Sequence, residues 1–224
     1  RQSKEDQKRP YTDQELATLL AGNSGALLSD AIQIAALSGM RADEIARLTV
    51  GHATAERIEI PKAKTAAGER TVPVHPNLRD IIERRLKDKQ PSDFLFHEIP
   101  TPKANSAVER SQKITKAFVR YRRSLGVDDR PPDARQSRID FHSLRRWFIT
   151  KAAHALNHGA TGYSQWTIAQ VVGHSKEDGP LAMTMGRYAG DDSFEAMKAC
   201  VEAVNLPLSA SRMSVIGPIA TSNS

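Results

Sequence analysis

"FHSLRRWFIT", residues 141–150, joins apolar positions at helical spacing to a basic entrance. Leu144, Phe148 and Ile149 predict a buried helix face. His142 and Arg145, three residues apart, share one side of that helix. Taken alone, the pair reads equally well as a solvated basic patch or as part of a site, so the decision rests on the surrounding chain.

The charge around this stretch is uneven. The whole chain of 224 residues carries a formal net charge of +6, yet Arg110 to Lys151 alone holds 12 Lys and Arg against 4 acids. Such local excess is the footprint of a polyanionic partner such as nucleic acid. No apolar run approaches the roughly 20 residues of a membrane span, so no membrane partner is expected. One cysteine, Cys200, excludes an intramolecular disulfide framework and a cysteine-cluster zinc site, and points to an intracellular, cytoplasmic protein. The opening "RQSKEDQKRP" has neither an initiator Met nor a signal-peptide pattern, and residues 1–11 read as a linker remnant from a longer protein.

Outward from residue 141, helical periodicity dominates. "TDQELATLL" begins with a capping-type Thr12 or Asp13, and "SDAIQIAALSG" ends at Gly39, a natural helix terminator. "RADEIARL", "PNLRDIIERRLKD", "SAVERSQKITKAFVRYRRSLG", "SQWTIAQVVG" and "DSFEAMKACVEAVN" predict further helices. "RIEIPK" and "ERTVPV" instead alternate apolar and polar residues, predicting a β-hairpin over 57–74. A short strand near Leu48–Val50 would complete a sheet. The expected class is α+β, mainly α-helical, with a small three-stranded antiparallel sheet. Residues 12–195 are expected to form one domain, and 196–224 a C-terminal helix and an arm.

Phosphate-binding glycine loops and Ser- or Cys-centred catalytic motifs are lacking. "HALNH" places His154 and His158 at a metal-compatible spacing without a third ligand, so no metal and no cofactor is expected.

Five pieces remain, in order: Arg41 in "SGMRADEIARL", Lys62 and Lys64 in "KAKTAAGERTVPV", His142 and Arg145 in "HSLRR", His174 in "VVGHS", and Tyr188 in "MGRYAG". The ordered set resembles the catalytic domain of the tyrosine recombinases, the phage-integrase family, over roughly residues 12–195. The resemblance implies site-specific DNA recombination through a 3′-phosphotyrosyl intermediate, without metal or ATP, integrating or excising a mobile element. It implies double-stranded DNA and a tetrameric synapse of identical subunits as partners, with accessory DNA-bending or excision proteins.

In that reading Arg41 and Arg145 grip the scissile phosphate, because a guanidinium is always charged and offers forked donors that match paired oxygens. Tyr188 is the nucleophile, His142 the general base and His174 a third phosphate donor. Lys64, with Lys62 as the alternative, protonates the departing 5′-oxygen. Glu44 buttresses the site. Lys113, Lys116, Arg120, Arg122, Arg123 and Arg146 are DNA-binding candidates.

Plainer readings stand beside these. Arg41 could pair only with Asp43 or Glu44, His174 could cap a helix end, and Tyr188 could pack in a core. Tyr188 lies 14 positions after His174, with "KEDGPLAMT" between them, a longer spacing than compact family members show, and the N-terminal DNA-binding domain usual in the family is missing ahead of the 1–11 linker remnant. Two other functions compete: DNA relaxation of the type IB topoisomerase kind, and non-catalytic regulation by a basic DNA-binding protein.

Overall fold

Thr12 starts the first helix by the capping chemistry its sequence implies. Its hydroxyl accepts from the Glu15 amide at 3.2 Å, and the Glu15 carboxylate accepts from the Thr12 amide at 2.8 Å. The computed structural model describes residues 7–61, 69–100, 110–174 and 193–207. These contain α1 (Asp13–Ala21), α2 (Ala26–Ser38), α3 (Ala42–Arg47), β1 (Arg57–Ile60), β2 (Arg70–Pro73), α4 (Arg79–Leu86), α5 (Ser111–Ser124), α6 (His142–Asn157), α7 (Gln165–Val172) and α8 (Phe194–Glu202).

Helix α2 is central. Ala31, Ile32, Ile34, Ala35, Ala36 and Leu37 are all buried, so the helix is enclosed on nearly every side. It ends at Gly39 in the left-handed conformation, with φ of 66°. A Cβ there would stand 2.7 Å from Val172 Cγ1 and 2.9 Å from Phe148 Cδ1. Glycine therefore lets the α2–α3 corner press against both α6 and α7. That corner joins three segments that the sequence marks as functional.

The hairpin forms as expected, antiparallel, with Ile58 opposite Val72 and Ile60 opposite Arg70. The sheet has two strands among the described residues, not three. Thr49 makes one bridge to Phe94, the Val50 amide donates to Asp93 O at 2.8 Å, and Val50–His52 turns as a 3-10 helix. The segment follows residues 91–95 through these bonds and through the Gly51 amide, which donates to Pro91 O at 2.8 Å. A Cβ on Gly51 would lie 3.1 Å from Pro91 O.

Residues 7–11 lie against the domain. The Arg9 amide donates to Arg138 O at 2.9 Å, and Tyr11 is buried edge-on to Phe118. At the other end, α8 spans the boundary expected at 195/196 and packs on α7 and β2, burying Cys200 and Val201. Among the described residues no helix is long and apolar enough to cross a membrane.

Candidate active site

Helix α6 is set by its first turn. Asp140 Oδ1 accepts from the Ser143 amide at 3.1 Å, and Ser143 Oγ accepts from the Asp140 amide at 3.1 Å. The reciprocal pair fixes where the helix begins and leaves His142 at its mouth. Leu144, Trp147 and Phe148 point into the core, and the Trp147 indole donates to Asp13 Oδ1 at 2.9 Å.

Arg145 goes inward too. It is 1% exposed, and its Nη1 donates to Gly39 O at 2.8 Å. Its Nη2 is buried with no hydrogen-bond partner among the described residues. Burial lowers its pKa to about 9, helped by the positive charges of Arg41 and Arg70 and opposed by Glu44. Arg145, Arg41 and Arg70 thus share one neighbourhood. Like charges gathered in low dielectric raise the energy of the empty site and favour an anion within it.

Arg41 occupies the N-cap position of α3, and its side chain is 39% exposed. It does pair with Glu44: Nη1 donates to Oε1 at 2.9 Å and the backbone amide donates to Oε2 at 2.8 Å. The carboxylate orients Arg41 without burying it. Burial pushes the Glu44 carboxyl upward, but the hydrogen bonds and charge of Arg70, followed by those of Arg41, outweigh it and hold the pKa below the ordinary range. Glu44 is ionised at neutral pH.

His142 remains largely open to solvent, yet its pKa falls to about 4. Dehydration by the surrounding protein comes first, then repulsion from Arg146 and Arg145; Asp140 opposes them, and Arg41 adds to the repulsion. The ring is therefore neutral at pH 7 and free to accept a proton. An NMR titration of the DNA-free protein should show His142 titrating well below the reference of about 6.5. Inorganic phosphate should move that midpoint upward, because the anion offsets the arginines. A midpoint in the ordinary range would mean that the ring lies away from them.

His174 follows Gly173, whose φ is 65°, and its amide donates to Ala169 O at 2.9 Å. The end of α7 adjoins the arginine cluster through Arg70, whose Nε donates to Val171 O at 2.8 Å. Lys62, Lys64 and Tyr188 lie outside the described residues.

Arg70 was not singled out from sequence. The available signal was a charge on the face of β2 that also carries buried Val72, since such a charge requires a buried partner. The basic face needs one correction. Lys113, Lys116, Arg120 and Arg123 are exposed along α5, but Arg122 points inward. It is 2% exposed and donates to Val127 O and Asp128 Oδ1, so it pins the loop after α5 and does not face solvent. Arg146 is half-buried beside His142, 3.7 Å from Asp140 Oδ1. His154 and His158 stack with ring centroids 3.8 Å apart, and no group of three metal-ligating side chains occurs among the described residues.

Arg41, Arg145 and Arg70 thus gather where α3, α6 and the end of α7 meet in a mainly helical domain. Residues 13–193 match the phage integrase family, and the chain belongs to that family. The fold is similar to that of an integrase from mycobacterium phage Brujita, with a TM-score of 0.59, 16% identity, and coverage of 94% of this chain and 63% of that one. The XerA recombinase gives 0.53, 18%, 86% and 62%, and a lambda integrase dimer bound to a COC′ core site gives 0.52, 17%, 87% and 52%. The chain thus spans less than two thirds of the length of each. No curated protein matches the sequence.

Proposed function

We propose that this chain is the catalytic domain of a site-specific tyrosine recombinase that integrates or excises a mobile element. The observation that carries the reading is Arg145, a buried guanidinium whose Nη2 has no partner among the described residues, held in the electrostatic neighbourhood of Arg41. Neutral His142 at the same helix mouth supplies the base.

The proposed reaction begins when the Tyr188 hydroxyl loses its proton to His142 and its oxygen attacks the scissile phosphorus. Arg41, Arg145 and His174 hold the non-bridging oxygens as charge builds on them. The new O–P bond makes the 3′-phosphotyrosyl link. The broken bond releases a 5′-oxygen, which takes a proton from Lys64, with Lys62 as the alternative. The link retains the energy of the diester, so the reverse steps rejoin DNA without ATP. The exposed face of Lys113, Lys116, Arg120 and Arg123 supports backbone binding across double-stranded DNA, and Arg146 supports it at the helix mouth.

A tetrameric synapse, docking of the arm on a neighbour, accessory bending or excision proteins, and a cytoplasmic location belong to the same proposal. The test is to incubate the chain with a pool of nicked duplexes. Adducts that survive boiling in detergent and yield phosphotyrosine on hydrolysis are expected. Binding without any adduct across the pool would favour the non-catalytic regulator.

A further inference from the structure

Arg70 makes a set of bonds unusual for a residue on a hairpin strand. Its Nη1 donates to Glu44 Oε1 at 3.0 Å and its Nη2 to Glu44 Oε2 at 2.9 Å, a two-pronged match of guanidinium to carboxylate. Its Nε donates to Val171 O in the last turn of α7. The pair is sequestered, with side chains 7% and 9% exposed. A Cβ on Gly173 would stand 2.6 Å from Arg70 Nη1 and 2.9 Å from Cζ, so any other residue before His174 would push the guanidinium out of this position.

Both Glu44 oxygens are shared. Oε1 takes Arg41 Nη1 as well as Arg70 Nη1, and Oε2 takes the Arg41 amide as well as Arg70 Nη2. The carboxylate that aims Arg41 is therefore itself held from behind. We infer that Arg70 is a positioning residue: through the Glu44 fork it sets the orientation of Arg41, and through Val171 O and the Gly173 close approach it sets the place of His174. The inference rests on the proposed active site. In this reading Arg70 acts through these two neighbours.

A carboxylate bonded to one arginine alone can rotate about its terminal torsion, which has a broad minimum. The second fork removes that freedom before DNA arrives. Small errors in the placement of a transition-state donor reduce rate steeply. Because β2 is also the strand that follows Lys62 and Lys64, the same side chain joins the hairpin, α3 and α7 into one frame.

Three possible roles for Arg70 give different results in Arg70→Lys, which keeps the charge and loses the fork. If Arg70 positions its neighbours, single-turnover adduct formation at saturating nicked DNA should fall on the order of 10-fold to 100-fold. DNA affinity and thermal midpoint should stay close to those of the parent chain. A wild-type rate would show that only charge matters, and a lowered midpoint with parallel loss of binding would show a merely structural role; either overturns the inference. Adding Glu44→Gln to Arg70→Lys should make the double variant little worse than Arg70→Lys alone, because the Glu44 linkage is already broken in it. Multiplying effects would overturn it as well.

A crystal structure of the Arg70→Lys chain supplies an arm independent of activity. The Glu44 carboxylate should be rotated and its bond to Arg41 Nη1 lost. An unchanged Arg41–Glu44 pair would overturn the inference even if the parent chain forms no adduct. Absence of the parent adduct, by contrast, bears on the proposed function alone.

Discussion

Tyr188→Phe is expected to erase the covalent DNA adduct while leaving DNA affinity within a few-fold of the parent chain. The hydroxyl is the reacting atom, so its removal leaves no weaker version of the same chemistry. A free phenol has a pKa near 10, and only about a thousandth is ionised at neutral pH, a deficit of roughly 4 kcal/mol that His142 and the arginines must offset. The other three tyrosines are poorly suited to the role. Tyr11 is buried, and burial pushes its hydroxyl far above the ordinary range. Tyr121 donates to Leu19 O at 2.7 Å and Tyr163 to Ala152 O at 2.8 Å, and burial raises both pKa values. Adduct formation by Tyr188→Phe at the parent rate would move the nucleophile elsewhere. Peptide mapping of the DNA-linked fragment would then identify it.

What the sequence made legible was whatever depended on neighbours a few residues away. Thr12 and Glu15 form a capping box because both partners lie in one turn, and Gly39 ends α2 because its backbone alone can take the left-handed corner. The hairpin followed from its period of two. The third strand failed because the partner of Thr49 is Phe94, 45 positions on, and nothing in "LTV" specifies it. Arg122 was misassigned for a related reason. Neighbouring basic residues on α5 look alike in sequence, but only this one falls on the side of Ile114 and Phe118, where Val127 O and Asp128 receive it. Within the candidate site, residue types and order pointed to Arg41, His142, Arg145 and His174. The supports that hold them, Arg70 on Glu44 and Gly39 O on Arg145, bridge separations of 26 and 106 residues. Long-range supports of this kind leave only a faint mark: a charge on a buried strand face, or a glycine at a helix end.

Arg145→Met should separate stability from chemistry. The side chain is almost wholly buried among like charges, and its pKa of about 9 lies well below the ordinary arginine value. The sign follows from proton counting. Between those two pKa values the unfolded chain binds more protons, so folding gains stability as pH rises through that window, and below it the charged form is a standing liability. At about 1.4 kcal/mol per pKa unit, that liability amounts to several kcal/mol. Methionine approximates the length of the arginine stem and removes the charge. It also gives up the charge-assisted bond to Gly39 O, a loss of about 2 kcal/mol. The balance favours the variant, so its thermal midpoint at neutral pH should equal or exceed that of the parent by a few degrees. Cleavage should fall by at least about 1000-fold, since a preorganised donor to the developing charge is gone. DNA affinity should change little, because one phosphate contact is a small share of a basic surface. A midpoint several degrees lower would mean that Arg145 serves mainly as a structural bond to the α2–α3 corner. Binding that collapses with cleavage would mean that it grips the ground state as firmly as the transition state. A site that weakens its own fold until phosphate arrives predicts neither.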